Sequence, residues 1–380
     1  MDRLYDPRLF PLPHPVRTDA VLGSDLDARV FQELGLTTEL KPYLTDDTLS
    51  TEWLINHLPL LHLFAQAHIG LPGSVNLGTF ILMMSRARLR AHGDPILTVT
   101  PTLQALLSET DLIKGLPSRY FRCPFPLAYV AFARPNELRI PNQLSGLHEF
   151  EGAYVGTYTL APHHPMFEND QRQRSLNLDP DQPTRLVELT LVGSPVGKDN
   201  CLDDASQDLV LYIQNEDECL STLLERHLDY YQSKKAYTNP GMRPAKAEEV
   251  LMVRPIVMEL AKVLLYLNLA EAQQLPDRTR DELERKFRKY GKLTAPRQAK
   301  LATAYNHILI GPSTQARIEG QSPKQGESAF RLRPHWRRGH FKRIHFGEKL
   351  SETRLGWIQP YLVHKDEAFG TVKAKEYVVR

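Results

Sequence analysis

The chain has 380 residues, 42% hydrophobic and 24% charged, with a formal net charge of +2. That balance excludes a wholly disordered chain and leaves room for two domains, or for one large domain with extensions. Three cysteines (Cys123, Cys201, Cys219) form no CxxC pair and leave one over in any pairing, which excludes a disulfide scaffold and points to a reducing compartment.

The opening segment, MDRLYDPRLFPLPHPVR, holds no apolar core of the kind a secretory signal needs. The most apolar long stretch, residues 255–270, is interrupted by Glu259, Lys262 and Asn268. A membrane-spanning helix needs ~20 nearly uncharged residues, so the stretch reads as a buried helix. The expected location is cytoplasmic, with no membrane partner.

Residues 1–50 are rich in Pro, Asp and Thr and read as an irregular arm. From Thr51, Leu54, Leu58, Leu61, Ala65 and Ile69 recur at helical spacing, with Pro59 placed to kink the run. A second helix is predicted over residues 75–91. A third begins at Thr100, an N-cap followed by Pro101 at the first helical position.

The pattern changes near Pro124. Residues 127–132, 138–140, 154–160, 185–192 and 209–213 read as successive strands, with Asn136 as a turn residue. No crossover helix is visible between them, so the sheet is expected to be mainly antiparallel. Asn215 with Glu218 resembles a capping box, ahead of a helix whose apolar stripe is Leu220, Leu224, Leu228 and Tyr231. The buried helix is predicted over residues 255–275, and a charged helix over 280–290. Residues 311–328 are rich in Gly, Pro, Ser and Gln and read as a flexible linker. A basic segment, residues 331–343, and a strand-like run, 354–363, close the pattern.

The predicted fold class is α+β: a helical N-terminal region, a mainly antiparallel sheet with packed helices, and a basic C-terminal segment ending in a strand. The expected organisation is a helical region with an irregular arm at 1–119, an α+β core at 120–310, a flexible linker at 311–328 and a basic module at 329–380.

There is no Walker loop, GxGxxG, GxSxG or HExxH motif. His163 and His164 lack two further zinc ligands, so no metal and no cofactor are expected. Asp203 and Asp204 read as a solvated loop, and Glu216, Asp217 and Glu218 as a helix N-terminus where carboxylates suit the dipole. Glu188 lies in a strand without the lysine of a nuclease strand pattern.

Charge is unevenly spread. Residues 285–348 hold fifteen Lys/Arg and three Asp/Glu, a local +12 that leaves −10 for the remainder. Within residues 331–343 stand Arg331, Arg333, His335, Trp336, Arg337, Arg338, His340, Lys342 and Arg343, with no acid until Glu348. Guanidinium groups bind phosphates bidentately, and Trp or His stack on unpaired bases. Gly339 is placed to let a ligand approach the backbone or to take a positive φ.

Three readings stay open on the residues alone. These nine side chains bind RNA or a partner; or His335 or His340 acts as general base in metal-independent RNA cleavage, with Arg337 or Arg338 on the pentavalent phosphate; or the arginines pair with acidic groups of the same chain in a scaffold protein. His335, His340 and His345 are spaced five apart and diverge on either a strand or a helix, so a shared metal is not expected.

The runs RPHWRRGHF (residues 333–341) and RLGWIQPYLV (354–363) resemble a C-terminal signature, approximately RPHxRRGHW then RxxWxxPxxV, of a phage- and plasmid-borne family. Its best-known members are anti-CRISPR proteins directed against the type V-A effector nuclease. Pattern-level similarity extends upstream to Phe125, Gly152 and the helix ending at Glu271, covering roughly residues 120–365. The resemblance implies a non-enzymatic protein that recognises the nascent polypeptide of its target during translation and brings about loss of the mRNA. Arg333, His335, Arg337, Arg338 and His340 fall on matching positions. Phe341 replaces the usual tryptophan, and Lys342, Arg343 and His345 make the continuation more basic. The expected partners are therefore a nascent polypeptide and RNA or the ribosome; oligomeric state is not readable.

Overall fold

The computed structural model describes residues 2–33, 35, 37–58, 77–112, 115–142, 145–164, 170–194, 200–233, 247–312 and 335–363. The N-terminal part supplies helices α1 (His14–Leu22), α2 (Leu26–Glu33), α3 (Thr37–Leu40), α4 (Thr51–His57) and α5 (Leu77–Ala91). Ser50 caps α4 by accepting the Trp53 N–H at 3.1 Å. The expected kink at Pro59 lies outside the described residues.

Strand β1 (Ile96–Val99) leads into α6 (Pro101–Ser108), and Thr100 caps that helix through the Leu103 N–H as its sequence predicts. Then follow β2 (Thr110–Asp111), β3 (Leu127–Ala131), β4 (Arg139–Asn142), the long β5 (Gly146–Leu160), α7 (Asp170–Leu176), β6 (Thr184–Ser194) and β7 (Ala205–Ile213). Helices α8 (Leu220–Gln232) and α9 (Ala247–Leu267) precede β8 (Gln274–Asp277), α10 (Thr279–Tyr290), α11 (Ala295–Thr303) and β9 (His307–Ile310). The C-terminal part holds β10 (His335–Arg337), β11 (Gly339–Phe346), β12 (Glu352–Ile358) and β13 (Tyr361–Val363).

The main sheet runs β7-β6-β5-β3-β1-β9-β8, with β4 paired to β5. It is mainly antiparallel, and the α+β reading holds. The strands read from residue 127 to 213 pair antiparallel throughout, but the sequence reading misses a strand ahead of them: β1 pairs in parallel with both β3 and β9, and α6 lies in the crossover from β1 to β3. Strand β1 escapes a reading of the sequence because four residues carry little periodicity of their own.

Alternation along the strands covers both faces of the sheet with apolar side chains. Val130, Val155, Leu189 and Leu211 pack against Leu103 and Leu107 of α6, Leu224 of α8 and Leu260 and Leu264 of α9. On the other face, Tyr129, Tyr154 and Val192 meet Leu82 and Leu89 of α5. The sheet is thus the middle of three layers.

Two helix predictions need correction. Helix α9 begins at Ala247 rather than Pro255, so the proline sits inside the helix. It also ends at Leu267, not near residue 275: Gln274–Asp277 is an edge strand paired with β9, and Pro276 is incompatible with a continuing helix. Asn215 and Glu218 do not form a capping box. The N-cap of α8 is Cys219; Asn215 closes a turn on the Asp217 N–H at 3.0 Å, and Glu218 pairs with Arg226.

Among the described residues, no helix is long and apolar enough to cross a membrane.

Candidate nucleic-acid interface

Strands β11 and β12, which carry the last part of the basic segment, form a β-hairpin moored to the body through a short parallel contact. Strand β11 pairs antiparallel with β12 over seven residue pairs, His340 opposite Ile358 to Phe346 opposite Glu352. Its first residues lie parallel to β2, and the Gly339 N–H donates to the Glu109 carbonyl at 2.9 Å.

The dock is apolar and specific. Phe341 is fully buried and stacks on Trp357 at a ring separation of 5.8 Å, while Tyr266 of α9 meets Trp357 edge-on at 5.7 Å. The Trp357 indole N–H donates to Thr110 Oγ1 at 3.2 Å, and the Thr110 hydroxyl donates to the Leu106 carbonyl at 2.7 Å. Phe341 thus occupies, as a core side chain, the position where the signature has tryptophan.

Lys262 explains why β2 lies where it does. This buried lysine of α9 donates to the carbonyls of Leu107 at 2.5 Å and Thr110 at 3.2 Å, and pairs with Glu259 at 2.6 Å. It reaches the Leu107 carbonyl in the last turn of α6, where a cation suits the helix dipole, and the Thr110 carbonyl of β2 just beyond it. In the sequence Lys262 is visible only as an interruption in an apolar helix. A lone lysine on such a face is the signal that points to a buried carbonyl cluster.

The predicted binding residues are distributed over this frame. Arg331 and Arg333 lie outside the described residues. His335 and Trp336 are on β10, which pairs with β13, whereas His340 is on β11 in a different sheet. Arg337 is exposed and donates to Tyr361 Oη at 3.2 Å. Arg338, between the two strands, donates to the Ser108 carbonyl at 3.1 Å and lies 3.3 Å from Asp111, with both side chains more than half exposed. An ion pair so exposed contributes ~0–1 kcal/mol and leaves the guanidinium accessible. Lys342 and Arg343 are exposed and have no acidic partner among the described residues.

Gly339 does not take the positive φ that is one of its expected uses. A Cβ there would stand 2.7 Å from Thr110 Oγ1, 2.8 Å from the Ile358 carbonyl and 2.8 Å from Pro360 Cδ. The lack of a side chain lets β11 lie against β2.

A second polar assembly is invisible in the sequence. Arg17 of α1 is buried against the sheet, donating from Nη1 to Glu151 at 2.7 Å and from Nη2 to Asp204 at 2.5 Å. Asp204 is therefore not part of a solvated loop, since its side chain is only 5% exposed. Glu151 also accepts from Tyr129 at 3.2 Å and from Ser194, and His14 Nδ1 shares a 2.8 Å bond with Tyr154. Burial pushes the His14 imidazole down to about 3, so it is neutral. Glu188 is likewise structural: it accepts the Thr51 N–H at 3.0 Å and the Tyr158 hydroxyl at 3.2 Å, holding the start of α4 on the sheet.

The model of a known family, AcrVA2-like, described as the anti-CRISPR type V subtype A2 family, matches residues 97–365. A solved structure described as the crystal structure of AcrVA2 superposes over 92% of this chain and 98% of its own, at 14% identity and a TM-score of 0.47. No curated protein sequence matches the chain.

Proposed function

The chain belongs to the AcrVA2-like anti-CRISPR type V subtype A2 family, and from that premise we propose that it lowers production of a type V-A CRISPR effector, or of a similar target. In this reading it acts in the cytoplasm as a non-enzymatic regulator carried by a phage or plasmid. It recognises the nascent polypeptide or the translating ribosome and promotes loss of the message, with the β11–β12 hairpin contacting RNA.

The observation that supports an RNA contact is the state of the hairpin's cations. Lys342 and Arg343 are exposed on strands whose other contacts are locked by Phe341, Leu355 and Trp357, so the charges are presented from a rigid frame. With the backbone already fixed, only the side chains need ordering on a phosphate, which limits the entropic cost of binding.

The test is capture of the tagged protein from bacteria translating a type V-A effector, with effector mRNA measured in parallel. The expected result is effector message and ribosomes in the captured fraction, lost after RNase treatment and in Lys342→Gln/Arg343→Gln, together with a fall in message level. A captured fraction free of RNA and an unchanged message would overturn the reading.

A further inference from the structure

The +12 stretch contains a second basic surface, separate from the β-hairpin. Between Arg285 and Lys300 there are seven Lys/Arg and no Asp/Glu. These residues form the second half of α10, its αL C-cap at Gly291 and most of α11. The two helices connect β8 to β9, the outermost strands at one side of the main sheet.

The apolar stripe of α10 outruns its cover. Leu283, Phe287 and Tyr290 share one face at i, i+4 and i+7. Leu283 is buried, but Phe287 is 49% and Tyr290 62% exposed. Lys289 Nζ lies 5.1 Å from the Tyr290 ring centroid. The surrounding cations are not neutralised at home. Arg288 has a 3.4 Å contact with Glu284, which Arg280 shares at 2.9 Å, whereas Arg285, Lys286, Lys289, Lys292 and Arg297 have no acidic partner among the described residues.

What would bind here follows from the mixture. Four of the seven cations are lysines, a residue type depleted from protein–protein interfaces. Helices that lie in a membrane surface need a long apolar face, and here it amounts to two rings. Exposed cations around exposed rings suit a ligand with a charged backbone and free π-faces. We propose that the α10–α11 hairpin is a binding surface for single-stranded RNA. Lys286, which lies at i−4 from Tyr290 on the ring-bearing face, with Lys289, Lys292 and Arg297, holds phosphates, and Phe287 and Tyr290 stack on unpaired bases. This surface does not depend on the β11–β12 hairpin.

The experiment measures fluorescence anisotropy of the full chain with an oligouridine of about 16 nucleotides, the upper site size of a single-strand-binding fold, and with a duplex RNA of equal length. Three variants are compared: Lys286→Gln/Lys289→Gln/Lys292→Gln/Arg297→Gln, Phe287→Ser/Tyr290→Ser, and the β-hairpin variant Lys342→Gln/Arg343→Gln. The charge variant is expected to bind oligouridine at least ~10-fold more weakly, with a salt dependence shallower by about 0.7 for each phosphate it no longer neutralises. The aromatic variant is expected to bind oligouridine roughly 10-fold more weakly and duplex almost as before. An unchanged melting midpoint establishes that each variant is folded. Weakened binding in the β-hairpin variant alone overturns this proposal and leaves the other surface standing; weakened binding in the α10–α11 variants alone supports it and removes the other. No RNA binding by the unaltered chain overturns both. Equal affinity for poly-L-glutamate, indifferent to the aromatic substitutions, overturns it in favour of an acidic protein partner.

Discussion

Arg17 Nη1 lies 2.7 Å from Glu151 Oε2 across 134 residues of chain, and both side chains are 1% exposed. Arg134 stands 3.7 Å from the same carboxylate, and Asp204 takes the other arm of the Arg17 guanidinium. This ion cluster fastens α1 to the centre of the sheet.

Removing the cation is the severe change. Arg17→Ala leaves two buried carboxylates with their main partner gone and is expected to cost ~3–5 kcal/mol. Urea denaturation monitored by circular dichroism reads the loss. A cost below ~1 kcal/mol, the range of an exposed pair, would show that α1 does not hold the cluster closed.

The same cluster predicts a pH dependence. Burial raises the Glu151 carboxyl, but the charge and hydrogen bonds of Arg17 prevail and hold it at about 2. For Asp204, burial dominates over Arg17, with Glu151 adding to it, and the carboxyl is pushed up from 3.8 to about 7. Between those two values the folded chain holds a proton that the unfolded chain has lost, so this group's contribution to stability falls as pH rises through the window. Glu151 acts oppositely: its contribution is present above its unfolded value of 4.5 and is lost as pH falls towards 2. Asp204→Asn is therefore expected to gain stability relative to the unaltered protein between pH 5 and pH 8. A constant difference between their urea midpoints at the two pH values would contradict this.

The C-terminal hairpin separates packing from binding. Phe341→Ala removes a fully buried ring and is expected to destabilise by ~3–5 kcal/mol. Gly339→Ala is expected to cost about 1–3 kcal/mol by overpacking against Thr110 and Ile358. Lys342→Gln/Arg343→Gln changes only exposed groups and should stay within ~0.5 kcal/mol of the parent, while RNA association weakens. Thermal melts beside RNA capture test the division; equal loss of both in all three variants would refute it.

The three thiols should differ in reactivity. Partial burial raises the Cys219 thiol, but the Ser221 hydroxyl and the backbone N–H groups of Gly115 and Thr222 outweigh it and bring the thiol down to about 7. Burial pushes Cys123 up to about 12, and Cys201 is also raised. Because the thiolate is the nucleophile, iodoacetamide near pH 7 is expected to label Cys219 first. Mass spectrometry of the labelled peptides would count against this if Cys123 reacted as fast.

Much of the fold is legible in the sequence because its signals are local. Thr100 followed by Pro101 announces α6, alternation marks β6 and β7, and the charged pattern before Tyr290 marks α10 within a residue of its start. Charge is additive along a chain, so the basic stretch is also countable without coordinates. Phe341 and Trp357 can be noticed there, but not that they stack on each other.

By itself, then, the sequence determined the class of fold, the order of about half of the elements and the place of the excess positive charge. Tertiary structure alone decided the fate of the polar side chains. Asp204 became a buried partner of Arg17, Glu188 an anchor for α4, Lys262 a cap on α6, and Gly339 a point of close approach to β2. The physical reason is distance along the chain. A cap or a strand is settled by neighbours within a turn or a few residues, whereas a buried charge is tolerated only where a partner from a remote segment meets it.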